Sequence, residues 1–149
     1  MDELTADELT IWHAWTRASE VVRTRVAGDV TDATGLSDPD FGALTRLVEI
    51  GGGRLRQNAL AESMGFHRSR LSHHLSRMEE RGLVTRQPAD GGVDVVATPV
   101  GRAAVKHARP AHAAAVRRHL VDLVPAADRE SFLANLERLA TGLTGKAPK

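Results

Sequence analysis

One short stretch, Arg68 to Arg81, constrains what this chain can become more than any other. Its apolar residues Leu71, Leu75 and Met78 recur at i, i+4 and i+7, which makes one narrow stripe on a helix. Around that stripe stand Arg68, Ser69, Arg70, Ser72, His73, Ser76 and Arg77, nearly all of them hydrogen-bond donors. A helix with so little to bury must be held from one side and offer the other to something anionic. The segment before it, Gln57 to Met64, sets Ala59, Leu60 and Met64 on a shared face and predicts a second short helix. Gly65-Phe66-His67 joins the two, and Gly82 supplies a C-cap after the second. The pair reads as a helix-turn-helix whose second helix suits a groove lined by phosphates and base edges.

The residues after Gly82 sharpen this. Leu83 to Gln87 is strand-like, Pro88-Ala89-Asp90-Gly91-Gly92 is dense in turn residues, and Val93 to Ala97 is strand-like again. A hairpin placed there makes a winged helix, with the wing along the DNA backbone or minor groove while the helix reads the major groove.

The flanks read as helices from their caps. Thr5-Ala6-Asp7-Glu8 is a capping box, and Ile11, Trp15, Ala18, Val22 and Val26 then form a stripe that runs on to Val30 before Gly35. Ser37, with Asp40 at N3, opens the next helix, Leu36 and Phe41 flank the cap as a hydrophobic staple, and Phe41, Leu44, Leu47 and Val48 form the buried face. Gly51-Gly52-Gly53 ends it. Beyond the wing, Thr98 caps a long helix toward Leu123 with Pro99 at N1, and Pro110 predicts a kink or break inside it. Pro125 closes that helix. A last one, about Ala127 to Leu143, carries Phe132, Leu136, Leu139 and Leu143, and Gly145 to Lys149 reads as a frayed tail. The expected fold is mainly α with a small β-hairpin wing: a winged helix-turn-helix lobe, residues 37–98, flanked by dimerisation helices from 1–36 and 99–149. Those end helices have no third layer to cover them, so the simplest partner is a second copy. Two-fold pairing sets two reading helices about one DNA turn, 34 Å, apart on an inverted repeat.

Arg54-Leu55-Arg56, Leu60-Ala61-Glu62, Arg68 to His73, Arg77 to Val84 and Thr98 to Gly101 together resemble the signature of MarR-family transcriptional regulators. The order of elements resembles that family's plan over nearly the whole chain. The resemblance implies a homodimer, a double-stranded DNA operator, and a small, often aromatic and anionic effector that releases the DNA. Two positions depart from the pattern. His67 stands where the family usually has Ser or Thr before the reading helix, which weakens the cap or hands it to the imidazole. The wing keeps Asp90 but has no arginine between Arg86 and Arg102, and Asp94 is expected to repel phosphate.

The residues read as DNA-contacting are Arg54, His67, Arg68, Ser69, Arg70, Ser72, His73, Ser76, Arg77, Arg86 and Asp90. Arg68 or Arg70 suits bidentate guanine readout, while Ser72, Arg77 and Arg54 suit phosphate. Formal net charge is only +1, but it is segregated. Arg54, Arg56, Arg68, Arg70, Arg77, Arg81 and Arg86 face only Glu62, Glu79 and Glu80 in that window, whereas the first ten residues hold four acids and no cation.

Trp12, His13, Trp15 and Arg17 form the one aromatic-rich cluster. They are candidates either for packing or for an effector pocket in which His13 and Arg17, at i and i+4, share a carboxylate. The seven histidines lack metal-ligand spacing: His107 and His112 are five apart, and His112 and His119 lie two turns apart. Single histidines at these places read as surface or interface groups. No cofactor is expected. The absence of cysteine removes disulfides and thiol chemistry, and neither a phosphate-cradling loop nor a nucleophile elbow is present, so an enzyme is not expected. No signal peptide or apolar span is evident, and a cytoplasmic location with no membrane partner follows as the expectation. Two alternatives stay open: the same fold without an effector, and a winged helix used for protein interaction without DNA.

Overall fold

A computed structural model describes residues 3–142 and shows six helices around a small antiparallel sheet. Helix α1, Ala6–Thr34, starts at the predicted box: Thr5 Oγ1 accepts from the Glu8 amide, Glu8 returns to the Thr5 amide, and Gly35 closes the helix at φ 76°. Helix α2, Asp38–Thr45, repeats the device with Ser37 and Asp40, then continues as a π-helical turn, Arg46–Ile50. Gly52 and Gly53 take φ 63° and 103°, a left-handed run that turns the chain into strand β1, Arg54–Arg56. Any side chain at those two glycines would be strained.

Helices α3, Gln57–Met64, and α4, Arg68–Glu80, form the expected helix-turn-helix. The buried face of α3 is Leu60 and Ala61, with Ala59 outward, because the stripe runs through Leu60, Ala61 and Met64 at i, i+1 and i+4. Strands β2, Val84–Ala89, and β3, Gly92–Ala97, form the wing. The sequence reading had only this hairpin. The structure adds β1 on the far side of β3, giving the order β1-β3-β2 with Leu55 opposite Val95. That third strand ties the entry of the helix-turn-helix to the wing.

The core lies under the winged lobe. Leu44, Leu47, Leu60, Leu71, Leu75, Met78 and Val95 are completely buried, and each such side chain contributes about 1.5–3 kcal/mol on leaving water. Helix α5, Pro99–His119, is capped by Thr98 and packs along α1, with Gly101, Val105, Ala108 and Ala115 turned inward. It passes through Pro110 without the expected break. Lys106, whose carbonyl loses its partner there, and Pro110 are both exposed, so water can satisfy the freed oxygen. The helix ends at His119 rather than near Leu123, and a 3-10 turn, Val121–Leu123, leads to Pro125. After a second 3-10 turn, Ala126–Asp128, helix α6 spans Arg129–Gly142. Leu143 and the Gly145–Lys149 tail lie outside the described residues.

Gly101 marks the tightest crossing. A Cβ there would overlap the Leu83 carbonyl oxygen and press Leu44 Cδ2 at 3.1 Å. Gly101→Ala is therefore expected to lower stability by about 2 kcal/mol, read as a fall in Tm with secondary structure retained.

The end helices stay bare in the protomer. Ile11, Trp12 and Trp15 on α1 are 69%, 57% and 46% exposed, and Leu133 and Leu139 on α6 are 56% and 58% exposed. Among the described residues, α6 buries none. No described helix is long and apolar enough to cross a membrane.

Candidate nucleic-acid interface

The surface begins at the turn before α4. His67 is its N-cap, and the imidazole takes the capping role: Nδ1 accepts from the Ser69 amide at 3.4 Å and lies 2.9 Å from Ser69 Oγ. That contact is long for a cap, so its contribution falls below the usual 1 kcal/mol or so of a Ser or Asp. Phe66 packs against the core beneath, and the Arg70 guanidinium carbon stands 4.1 Å above its ring, a cation–π contact that holds Arg70 near the helix start. Arg68, Ser69, Arg70, His73 and Arg77 are all exposed on α4 while Leu71, Leu75 and Met78 are buried behind them. Among the described residues, Arg68 and His73 have no side-chain partner of their own.

Other candidates are engaged within the protein. Arg86, on β2, reaches back to α4: Nε donates to Glu79 Oε1 at 2.6 Å, Nη2 to Ser76 Oγ at 2.7 Å, and Nη1 to the Ser72 carbonyl and hydroxyl, each at 3.2 Å. Ser72, Ser76 and Arg86 thus form a brace between helix and wing. Arg54 gives one nitrogen to Asp94 and another to Gln87, both at 3.0 Å, and Arg56 meets the other Asp94 oxygen at 3.2 Å. Asp94 is correspondingly not the open phosphate-repelling charge expected of it. Its side chain is 15% exposed and lies between two arginines that are each about half exposed. Asp90 sits exposed at the wing turn beside Gly91.

Behind α4 lies a polar cluster that no local pattern announced. Asp40, 2% exposed, receives Arg81 Nη1 on Oδ2 at 2.6 Å and faces His74 Nε2 with Oδ1 at 3.0 Å. The His74 contact has the distance of a hydrogen bond but not its angle, so it acts through charge and dipole. His74 is itself buried at 8%, because α2 closes over that side of α4. Its Nδ1 lies 3.3 Å from Arg77 Nη2. Burial pushes the Asp40 carboxyl up, but the hydrogen bonds from Arg81 and Ser37 and the Arg81 charge outweigh it, and the net shift is down.

Away from this face, Trp12 and Trp15 line an open apolar groove of about 760 Å³ with Leu4, Ile11 and Leu139, while His13 and Arg17 lie outside it on the same helix. His112 stacks on Phe41 at 4.9 Å, and His119 pairs with Asp29 at 2.8 Å. Among the described residues no group of three or more His, Asp or Glu could hold a metal.

Residues 34–92 match the family model described as MarR family. The whole fold is similar to AbsC, a MarR family transcriptional regulator from Streptomyces coelicolor, at 30% identity and TM-score 0.85, covering 98% of this chain and 100% of that one. The chain belongs to the MarR family. A second MarR regulator of that organism, Sco3205, solved in complex with DNA, is 28% identical with TM-score 0.84 over 98% of this chain and 95% of its own. No curated protein sequence matches the chain. As a MarR-family member it carries the winged helix-turn-helix of a transcriptional regulator, a DNA-binding fold. Its wing is unusual against the pattern read from the sequence. Arg86 on β2 is held against α4, and the other cations beside the hairpin come from β1, as Arg54 and Arg56.

Proposed function

We propose that this chain is a sequence-specific, double-stranded DNA-binding regulator, a homodimeric repressor on an inverted-repeat operator. One observation carries the reading: α4 buries a single stripe and leaves Arg70, His73 and Arg77 on one exposed face, with Arg68 exposed at the helix start. Arg68 and Arg70, nearest the helix start, read bases, and Arg77 and Arg54 hold phosphates. Ser72, Ser76 and Arg86 support that face from within. Sco3205, a relative of similar fold solved in complex with DNA, supports a DNA-binding reading. Residues 37–98 form the reading lobe, and the bare faces of α1 and α6 are the seat of the second copy.

Selection of random duplexes on the purified protein, then titration of the winner at two salt concentrations, tests this. An enriched inverted repeat bound with a steep salt dependence is the expected result. Sequence-indifferent, weak binding would instead favour a protein-interaction module. Arg68→Ala or Arg70→Ala is expected to cost about 1–3 kcal/mol of operator affinity and to relax preference at one base pair per half-site. Equal binding by both variants and wild type would show that α4 does not read the bases.

Release by a small aromatic anion belongs to the same proposal, with Trp12 and Trp15 as an apolar wall shared with the seat of the second copy, and His13 and Arg17, which lie outside the groove on the same helix, as the carboxylate partners. All four are exposed on α1. Because these are the chain's two tryptophans, benzoate binding there should change intrinsic fluorescence in step with loss of the operator. Unchanged fluorescence and unchanged operator affinity would point to the effector-free form of the regulator.

A further inference from the structure

His74 is the one imidazole of α4 that cannot meet DNA, yet it touches a residue that can. Its ring is buried between α2 and α4, with Nε2 toward Asp40 Oδ1 at 3.0 Å and Nδ1 toward Arg77 Nη2 at 3.3 Å. A guanidinium has only donors, so Nδ1 must accept from Arg77, and the ring proton must sit on Nε2, facing the carboxylate. The neutral imidazole thereby links a buried acid on one side to an exposed arginine of the reading face on the other. We propose that His74 is a positioning residue that orients Arg77 toward DNA, and that it does so only in its neutral form. This rests on the DNA reading of α4.

The logic is one of donors and acceptors. Protonation puts a hydrogen on Nδ1 as well as Nε2, so the acceptor that held Arg77 becomes a donor beside a like charge. Arg77 must then turn away. The charged groups facing the ring are Asp40 from α2, Arg77 from its own helix and Arg81 just past that helix's end, where Arg81 also reaches the Gly35 carbonyl at 3.4 Å. Burial is the largest influence and pushes the imidazole's pKa down. Asp40 pulls it up, Arg77 and Arg81 push it down again, and the net direction is below the ordinary histidine value. The ring is thus neutral at neutral pH and takes its proton on acidification.

Two isosteric variants separate positioning from mere support. His74→Asn keeps an acceptor at the place of Nδ1, toward Arg77, and cannot be protonated. His74→Gln keeps a donor at the place of Nε2, toward Asp40, and has no acceptor for Arg77. Positioning predicts that His74→Asn binds the selected operator like wild type near pH 7.5 and that His74→Gln loses about tenfold, as Arg77→Ala does. A support role for Asp40 predicts the reverse order. On lowering the pH through the His74 titration, wild type should lose about tenfold relative to His74→Asn. In an Arg77→Ala background that pH-dependent difference should vanish. Parallel pH profiles, or a difference that persists without Arg77, overturns the proposal.

A measurement on the wild-type protein guards against variants that do not fold. The Arg77 Nε–H resonance should shift with the same midpoint as the His74 ring, and an Arg77 signal indifferent to that titration overturns the coupling. Wild type that binds no duplex while the two signals still titrate together would overturn the DNA reading and this inference with it. Binding without coupling overturns the inference alone.

Discussion

Replacing Asp40 by alanine is expected to lower the unfolding free energy by about 3 kcal/mol, measured by urea denaturation at pH 7. The carboxylate does three things at once. It caps α2 by accepting the Ser37 amide at 3.0 Å, binds Arg81 at 2.6 Å and faces buried His74 at 3.0 Å. Loss of the cap costs about 1 kcal/mol. A buried imidazole left without its partner costs about 1–3 kcal/mol more. Arg81 adds less than a fully buried cation would, because its side chain is 46% exposed and can turn to water. Asp40→Asn keeps an acceptor for the cap and should fall between alanine and wild type. A loss below about 1 kcal/mol for Asp40→Ala would mean that the cluster is incidental.

The same cluster gives stability a pH dependence of definite sign. The native Asp40 pKa lies below its ordinary value, so its contribution is present above the ordinary carboxylate range and is lost as pH falls through the native value. The His74 pKa is also lowered in the native state, from an ordinary 6.5. The unfolded chain therefore binds that proton first, and stability declines as pH drops below about 6.5. Both slopes point the same way. Urea midpoints at pH 7 and 5.5 should differ in wild type through His74, and no less so in Asp40→Ala, because Asp40 stays ionised across that window and its charge raises the His74 pKa.

Ile11→Glu combined with Leu139→Glu should abolish dimerisation and lower operator affinity by about 100-fold or more, while leaving the protomer folded. Both residues line the bare groove between α1 and α6 and are more than half exposed in the protomer, so the charges cost the single subunit little. In a dimer the same charges would be trapped in an apolar seam, unpaired. Two linked half-site contacts exceed one by about two to four orders of magnitude, and that gain disappears when the copies separate. Sedimentation velocity and operator titration read the two consequences independently. A variant that remains dimeric would place the seam elsewhere, and a monomer with undiminished affinity would remove the inverted repeat from the proposal.

What could be read from the chain alone was what is local. Thr5 with Glu8, Ser37 with Asp40 and Thr98 before Pro99 lie within four residues of one another, and all three helix starts stand where those patterns put them. The Leu71, Leu75 and Met78 stripe needed only the helical period. Pairings across long separations stayed hidden. Arg54-Leu55-Arg56 is too short to announce a strand, and its partner β3 lies some forty residues onward. The same distance concealed His74: nothing within its own helix says that α2 will close over it with a carboxylate. Ser72 and Ser76 looked like DNA contacts because Arg86, which occupies them, belongs to another element.

The brace made by Arg86 has a consequence for how such a regulator can change. With four hydrogen bonds to α4 from one guanidinium on β2, the wing cannot hinge against the helix without breaking them together. On the proposed reading, the letters of a half-site and the distance between half-sites are therefore governed by different residues. Changes on the outer face of α4 can alter the spelling while leaving the spacing untouched, and changes along α1, α5 and α6 can do the opposite. On that reading, target sequence and half-site spacing are free to drift independently among chains built on this plan.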